Sequence, residues 1–315
     1  MSETIAFLGN LDAEEEADFL AALAASLPEE TIRPFRLLSA QEREAARIAI
    51  VANPDPAEVA QLPNLAWIHS LWAGVERLVR DLGASGVPIV RLIDPELART
   101  MAEAVLAWTY YLQRDMPAYR RQQEAGTWRQ LAYRPPGETT IGILGLGTLG
   151  SAAAERLVGA GFRVAAWSRS PKAAPPGVTG FSGPEGLAGL LASSDVAVCL
   201  LPLTEETRGL LDAGRLSTMK PGAALINFGR GPIVATDALL AALDGGRLSH
   251  AVLDVFEVEP LPAESPLWRH PEVTVLPHIS GPTTPASSAA IVAGNLRAYR
   301  ATGRIPQAVD VARGY

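Results

Sequence analysis

The sequence predicts an α/β protein with parallel sheets, built as two domains. Three observations carry this. The chain has 315 residues, more than a single hydrophobic core usually serves. Short apolar runs of strand length alternate with helix-length stretches along the chain. Residues 141–150, IGILGLGTLG, place a strand, a G-x-G-x-x-G turn and a helix start in direct succession.

Taken in order, Thr4–Leu8 reads as the first strand. Asp12 and Glu15 have capping-box spacing for a helix through Ser26. Further strands are expected near Ile32–Leu37, Arg47–Ala52, Leu65–His69 and Ile89–Arg91. Pro95 suits the first turn of a long helix running to about Glu124. Residues 134–139, RPPGET, form a turn-rich entry to the glycine unit. After it come strands at Phe162–Trp167, Val196–Leu200, Ala223–Asn227, Ala251–Asp254 and Val273–Leu276. A last helix, Ala286–Arg300, is long enough to cross back to the first domain. The expected layout is a discontinuous domain, 1–95 plus 286–315, around a continuous one, 96–285.

The strand Ile141–Leu144 is a buried apolar run, and a helix is expected at Ser151–Ala160. Gly145 permits the tight turn, Gly147 lets backbone approach a pyrophosphate, and Gly150 lets helix and strand pack closely. The free N–H groups of Thr148 and Leu149 then face the diphosphate of a dinucleotide. The end of the next strand selects which dinucleotide. An NAD site usually has Asp or Glu there, on the ribose 2′-OH. This chain has Ser168, Arg169, Ser170 and Lys172, with no carboxylate within reach in sequence. Hydroxyls and cations suit a 2′-phosphate, and a guanidinium also stacks on adenine, so the cofactor is read as NADP(H). A solvated basic turn is the alternative.

Net charge is −7 and apolar residues are 48%, as in packed α/β enzymes. The acidic balance disfavours a nucleic-acid or anionic-membrane surface. MSETIAFLGN lacks a basic n-region, so no secretory signal is expected, and no segment approaches membrane-spanning length. The only cysteine, Cys199, lies inside the apolar run VAVCLL, which fits a reducing cytoplasm. No metal ligand is assigned.

Three segments fall at strand ends: NFGRG (227–231), LDVFEVEP (253–260) and LPHISG (276–281). Open α/β sheets bind ligands beyond the carboxyl ends of their strands. Hydride transfer to a ketone leaves negative charge on oxygen. An imidazolium at His278 would protonate that oxygen, and a carboxylate at Glu259 would favour and orient the imidazolium. Arg230 would hold a 2-oxo carboxylate and polarise the carbonyl. Taken singly, Arg230 also fits a structural ion pair, Glu259 a loop acid and His278 a satisfied histidine. His69, His250 and His270 read as satisfied histidines. The order Arg–Glu–His after a dinucleotide fingerprint favours the catalytic reading.

The glycine motif, the Arg230–Glu259–His278 series and the phrase LDVFEVEPLP resemble the D-2-hydroxyacid dehydrogenases. WSRS (167–170), ESPLWRHP (264–271) and ARGY (312–315) resemble the glyoxylate/hydroxypyruvate reductase branch of that family. The resemblance implies two Rossmann-like domains, the substrate domain flavodoxin-like, with an interdomain cleft. It implies homodimers, and reduction of glyoxylate and hydroxypyruvate with NADPH. The apolar stretch 96–115 and an arm carrying Trp128 add to the homodimer expectation. The loop LWAGVERL (71–78) is implied to bind the substrate carboxylate through N–H groups of Ala73, Gly74 and Val75. Trp72 is either interdomain packing or pocket wall. Asp254 is implied to lie near the nicotinamide carboxamide, and Leu201 and Pro202 along the cofactor.

One departure stands out. Reductases of this group often carry a basic residue before the proline that follows the catalytic histidine. HISGPTTP has Thr284 there, with Gly281 and Pro282 added to the loop. The acid/base chemistry is expected to survive, and the preference among 2-oxo acids to be affected. Rival functions are a dehydrogenase of a larger acid such as phosphoglycerate, for which Arg77 and Arg80 are the nearby cations, and a dinucleotide-sensing corepressor on the same scaffold. A formate dehydrogenase is disfavoured, because those enzymes place an amide where Glu259 stands.

Overall fold

The computed structural model describes residues 4–311, which divide into two compact units. One holds the chain up to Glu96 and again from Thr283; the other is Leu97–Pro282. The first runs β1 (Ile5–Gly9), α1 (Ala13–Ser26), β2 (Ile32–Pro34), α2 (Ala40–Ala45), β3 (Ile48–Ala52), α3 (Pro56–Val59), β4 (Trp67–Ser70), α4 (Glu76–Leu82) and β5 (Ile89–Val90). Helix α5 (Pro95–Gln113) leads into the second, with α6 (Met116–Glu124), β6 (Thr140–Leu144), α7 (Thr148–Gly159), β7 (Arg163–Ser168), β8 (Val178–Ser182) and α8 (Gly183–Ser193). It continues through β9 (Val196–Cys199), α9 (Ala213–Thr218), β10 (Ala223–Asn227), α10 (Thr236–Asp244), β11 (Leu248–Leu253) and β12 (Val273–Val275). Helix α11 (Pro285–Thr302) belongs to the first unit again.

Every strand pair is parallel. The first sheet has the order β2-β1-β3-β4-β5. The second has the order β12-β11-β10-β9-β6-β7-β8. These are the flavodoxin-like and Rossmann strand orders. Parallel strands are covered on both faces, which is why IAIVA at β3 and AALIN at β10 are buried throughout. Successive residues of a strand serve opposite faces. In the second unit Leu144, Trp167, Cys199 and Leu225 enter one core cluster, and Ile143, Ala166, Val198 and Ile226 the other. In the first unit α11 supplies Val292, Ala293 and Leu296 to the core around Phe19 and Leu23. Its Arg297 and Arg300 also pair with Glu29 and Glu30 at 2.6 and 2.8 Å.

Several expectations about elements need correction. The helix expected from Pro95 to Glu124 is two helices. Proline at position 117 has no N–H, and its ring clashes with the carbonyl four residues earlier. That residue is Gln113, where α5 ends, and Asp115 turns the chain at φ 55°. The strand expected at Ile32–Leu37 stops at Pro34 and gives way to a 3₁₀ turn, Phe35–Leu37. Helix α7 begins at Thr148 rather than Ser151. Strand β8 was not expected, since VTGFS is short, contains glycine and has no fully buried residue. Asp12 does cap α1, accepting from the N–H groups of Glu14 and Glu15. A capping box with both halves present closes at Ser39 and Glu42.

Candidate active site

Sheet order reverses between β6 and β9, the switch point at which open α/β sheets receive a ligand. The glycine turn sits there. Gly145 has φ 107°, and a methyl on Gly150 would lie 1.8 Å from the Gly145 carbonyl oxygen, so α7 packs flush against the turn. Gly147 and Thr148 are exposed, while Gly145 and Gly150 are buried. No side chain caps α7, whereas Asp12, Ser39, Asp55, Asp212 and Thr284 cap other helices. The first-turn N–H groups, including those of Thr148 and Leu149, are thus offered outward at the positive end of a 12-residue helix. The donor set fits a dinucleotide diphosphate.

At the end of β7, Ser168 Oγ donates to the Ser170 carbonyl at 2.8 Å. Lys172 Nζ donates to the Leu146 carbonyl of the glycine turn at 2.5 Å, so the turn and the basic segment are joined. Arg169 is paired with Glu206 at 2.5 Å, both side chains about half exposed or more. A carboxylate therefore does stand at this strand end. The sequence hides it because Glu206 is 37 residues further on. Leu201 is buried beside the turn, and the Pro202 carbonyl accepts from Thr207 Oγ1 at 2.7 Å.

Three strand ends supply the chemical groups. Asn227, the last residue of β10, straps its own loop: Oδ1 accepts from the Gly229 N–H and Nδ2 donates to the Arg230 carbonyl. Arg230 Nη1 donates to the Gly229 carbonyl at 2.7 Å. A methyl on Gly231 would lie 2.0 Å from the Phe256 carbonyl carbon, so this loop lies directly on the loop after β11. There the Phe256 N–H donates to Glu259 Oε1 at 2.8 Å, while Glu259 Oε2 meets His278 Nδ1 at 2.8 Å. His278 has φ 55°, a left-handed conformation uncommon for histidine, and its side chain is half exposed.

The hydrogen bond with Glu259 holds the His278 imidazole above its ordinary pKa, against the opposing effect of burial. The Glu259 and Asp254 charges raise it further and the Arg230 charge lowers it. For Glu259, burial pushes upward but is outweighed by the His278 and Phe256 hydrogen bonds and by the nearby charges of His278 and Arg230, so it stays below the usual carboxylate value. The structure thus brings Arg230, Glu259 and His278 into one electrostatic group. Nδ1 is engaged by Glu259, which leaves Nε2 as the ring nitrogen not used in that pair.

Asp254 has a duty that sequence reasoning missed. It is 1% exposed, and its two oxygens accept from the Ile279 and Ser280 N–H groups at 2.7 and 2.9 Å. It pins the backbone just past His278; the carboxylate that the resemblance sets beside a carboxamide is engaged within its own chain. The loop departure also has a structural account. Thr284 Oγ1 accepts from the Ser287 N–H and caps α11, and a side chain at Gly281 would press on Met101 and Leu97.

The remaining histidines bond within the fold, although the buried His250 Nδ1 has no hydrogen-bond partner. His69 bonds the Ser70 carbonyl and Asn295, and burial drives its pKa down to about 4. His250 bonds Thr274 and is likewise lowered to about 4 by burial, and His270 bonds Asp244. Burial pushes the Cys199 thiol up to about 12, far from a nucleophile. In the first unit, Trp72, Ala73 and Gly74 follow β4. Trp72 packs edge-on against Phe19 at 5.7 Å, within its own unit's core, and its backbone N–H donates to Ser70 Oγ. Arg77 and Arg80, the cations a phosphorylated substrate would want, are both paired with Asp81. Among the described residues, no group of three His, Cys, Asp or Glu is placed to hold a metal, and no helix is long and apolar enough to cross a membrane.

Comparison with known proteins identifies the family. Residues 106–280 match the family described as D-isomer specific 2-hydroxyacid dehydrogenase, NAD binding domain. The chain belongs to the D-isomer specific 2-hydroxyacid dehydrogenase family. It is 37% identical over 304 residues to glyoxylate/hydroxypyruvate reductase A of Serratia proteamaculans, covering 95% of this chain and 96% of that one. A D-isomer specific 2-hydroxyacid dehydrogenase from Xanthobacter autotrophicus, solved with NADPH and MES, superposes with a TM-score of 0.93 at 41% identity over the full length of both chains. An NADPH-dependent glyoxylate/hydroxypyruvate reductase from Sinorhizobium meliloti, solved with NADP and sulfate, superposes at 0.88 with 31% identity, again over both whole chains.

Proposed function

We propose that this protein reduces small 2-oxo acids with NADPH, glyoxylate to glycolate and hydroxypyruvate to D-glycerate. The observation that carries the reading is the His278–Glu259 pair at 2.8 Å, in the electrostatic reach of Arg230. The names and bound cofactors of the relatives support it. When bound, the reduced nicotinamide supplies a hydride to the substrate carbonyl carbon. His278 holds the proton that the resulting alkoxide takes. Glu259 keeps the ring charged and oriented, and Arg230 holds the carboxylate and draws charge toward the carbonyl oxygen. Ala73 and Gly74 give backbone N–H groups to the substrate carboxylate, a role carried over from the family. Gly147, Thr148 and Leu149 hold the diphosphate, with Leu201 and Pro202 along the cofactor. Ser168, Arg169, Ser170 and Lys172 receive the 2′-phosphate. The second unit is then the cofactor domain and the first the substrate domain, and a single buried thiol suits the cytoplasm.

Loss of NADPH absorbance on adding glyoxylate or hydroxypyruvate tests this directly. Turnover is expected with both, at a higher kcat/KM for NADPH than for NADH. No oxidation with either acid would overturn the substrate reading. Equal kcat/KM for the two cofactors would overturn the cofactor reading.

We also propose a homodimer, as the resemblance implies. Trp128 is 97% exposed, and Met116, Tyr119 and Tyr133 are exposed on the same stretch of chain. Apolar surface of this kind is usually covered by a partner. Sedimentation at micromolar concentration is expected to give twice the chain mass of 33.3 kDa; a single chain mass would contradict it.

A further inference from the structure

We propose that Glu206 is a specificity-determining residue: its carboxylate competes with the cofactor 2′-phosphate for Arg169. This rests on the NADPH reading above. Strands β7 and β9 flank β6 on either side in the sheet. Arg169 follows the end of β7 and Glu206 lies on the segment after β9, so the ion pair spans the carboxyl end of β6, where the glycine turn begins. The β9 segment abuts that turn: a methyl on Gly145 would lie 3.0 Å from the Leu200 carbonyl oxygen.

The turn that carries Glu206 is built to hold its place. Thr204 N–H donates to Thr207 Oγ1 at 2.8 Å, and Thr207 N–H returns a bond to Thr204 Oγ1 at 3.3 Å. Thr207 Oγ1 donates in turn to the Pro202 carbonyl, and the Arg208 N–H to the Thr204 carbonyl. Glu206 is therefore held near Arg169 by a fixed turn.

The consequence is electrostatic. A 2′-phosphate brings close to two negative charges to Arg169 and must take the guanidinium from Glu206 while lying near that carboxylate. A 2′-OH brings no charge and leaves the pair intact. Glu206 thus lowers affinity for NADPH and barely touches affinity for NADH. It holds the selectivity of the basic strand end below what Arg169 alone would give, and the effect shrinks as salt screens the exposed charges.

The test is calorimetric binding of NADPH, NADH and adenosine 2′,5′-bisphosphate to the full-length protein, with Glu206→Gln, Arg169→Ala and the double variant alongside. Glu206 is largely exposed, so Gln should fold normally, which a melting curve checks. In Glu206→Gln the ratio of NADH to NADPH dissociation constants should rise about threefold to tenfold, the scale of one exposed ion pair plus one removed like charge. The bisphosphate, which lacks the nicotinamide, should gain equally. When Arg169 is Ala the competition is gone and the gain should shrink to the small part that comes from removing a like charge. An unchanged or falling ratio, or a gain that is just as large without Arg169, overturns the proposal. An Arg169→Ala protein that loses NADPH and NADH affinity alike would fell the NADPH reading and this inference with it. A selective Arg169→Ala loss with a silent Glu206→Gln fells this inference alone.

Discussion

Replacing His278 with Ala is expected to lower kcat/KM for glyoxylate reduction by about a hundredfold to ten-thousandfold, the usual contribution of a positioned acid. In the proposed reaction, reduction needs the imidazolium. The hydrogen bond with Glu259 raises the His278 pKa, so the charged form should persist above the ordinary value of 6.5 and reduction should fall as pH rises through the raised one. Glu259 is itself held below its usual value, so the pair stays doubly charged down to that lowered value. Oxidation, which starts from neutral imidazole, should show the opposite limb. Glu259→Gln removes the charge that favours imidazolium and should move the falling limb of reduction to lower pH while cofactor binding stays intact. The measurement is kcat/KM for glyoxylate against pH in the three proteins. A limb that stays put in the Gln variant would sink the assignment of Glu259 as the histidine's partner. Full activity in His278→Ala would sink that of the acid.

Gly231→Ala is expected to cost about a hundredfold in kcat/KM, together with a drop in the thermal midpoint of several degrees. The added methyl would sit 2.0 Å from the Phe256 carbonyl carbon, 2.3 Å from its oxygen and 2.5 Å from the Glu257 nitrogen. All three are backbone atoms, so no side-chain rotation relieves the clash. The Arg230 loop must part from the loop whose Phe256 N–H holds Glu259. Overpacking of this kind costs about 1–3 kcal/mol, or about 2–4 °C for each kcal/mol in a unit of this size. Arg230→Lys isolates the guanidinium from the loop. It keeps the charge but loses the planar fork, with an expected loss of about tenfold to a hundredfold and an unchanged melting curve. Near-normal turnover in Arg230→Lys would move Arg230 to a structural role. A fully active Gly231→Ala would show that the two loops need not touch.

The parts of this protein that were legible in the sequence are those whose signal is local. The G-x-G-x-x-G spacing between an apolar strand and a helix reports the turn at Gly145–Gly150, because the turn's sterics involve only those residues. The alternation of apolar runs reports two parallel sheets, because strands buried on both faces must be apolar throughout. Arg230, Glu259 and His278 could be singled out because each stands just past such a run. Even the break after Gln113 was written locally, in Pro117, though the apolar pattern masked it.

What only the tertiary structure decided depends on which strands are neighbours. Strand β8 has no fully buried residue and is weakly patterned, and owes its conformation to its pairing with β7. Asp254 and the N–H groups of Ile279 and Ser280 lie at the ends of adjacent strands, β11 and β12, and meet only because those strands pair. Arg169 and Glu206 are 37 residues apart, and meet because the sheet inserts β6 between β7 and β9. Periodicity records which face of a strand is buried. It does not record strand order, and it is strand order that sets a carboxylate against the cation at the end of β7.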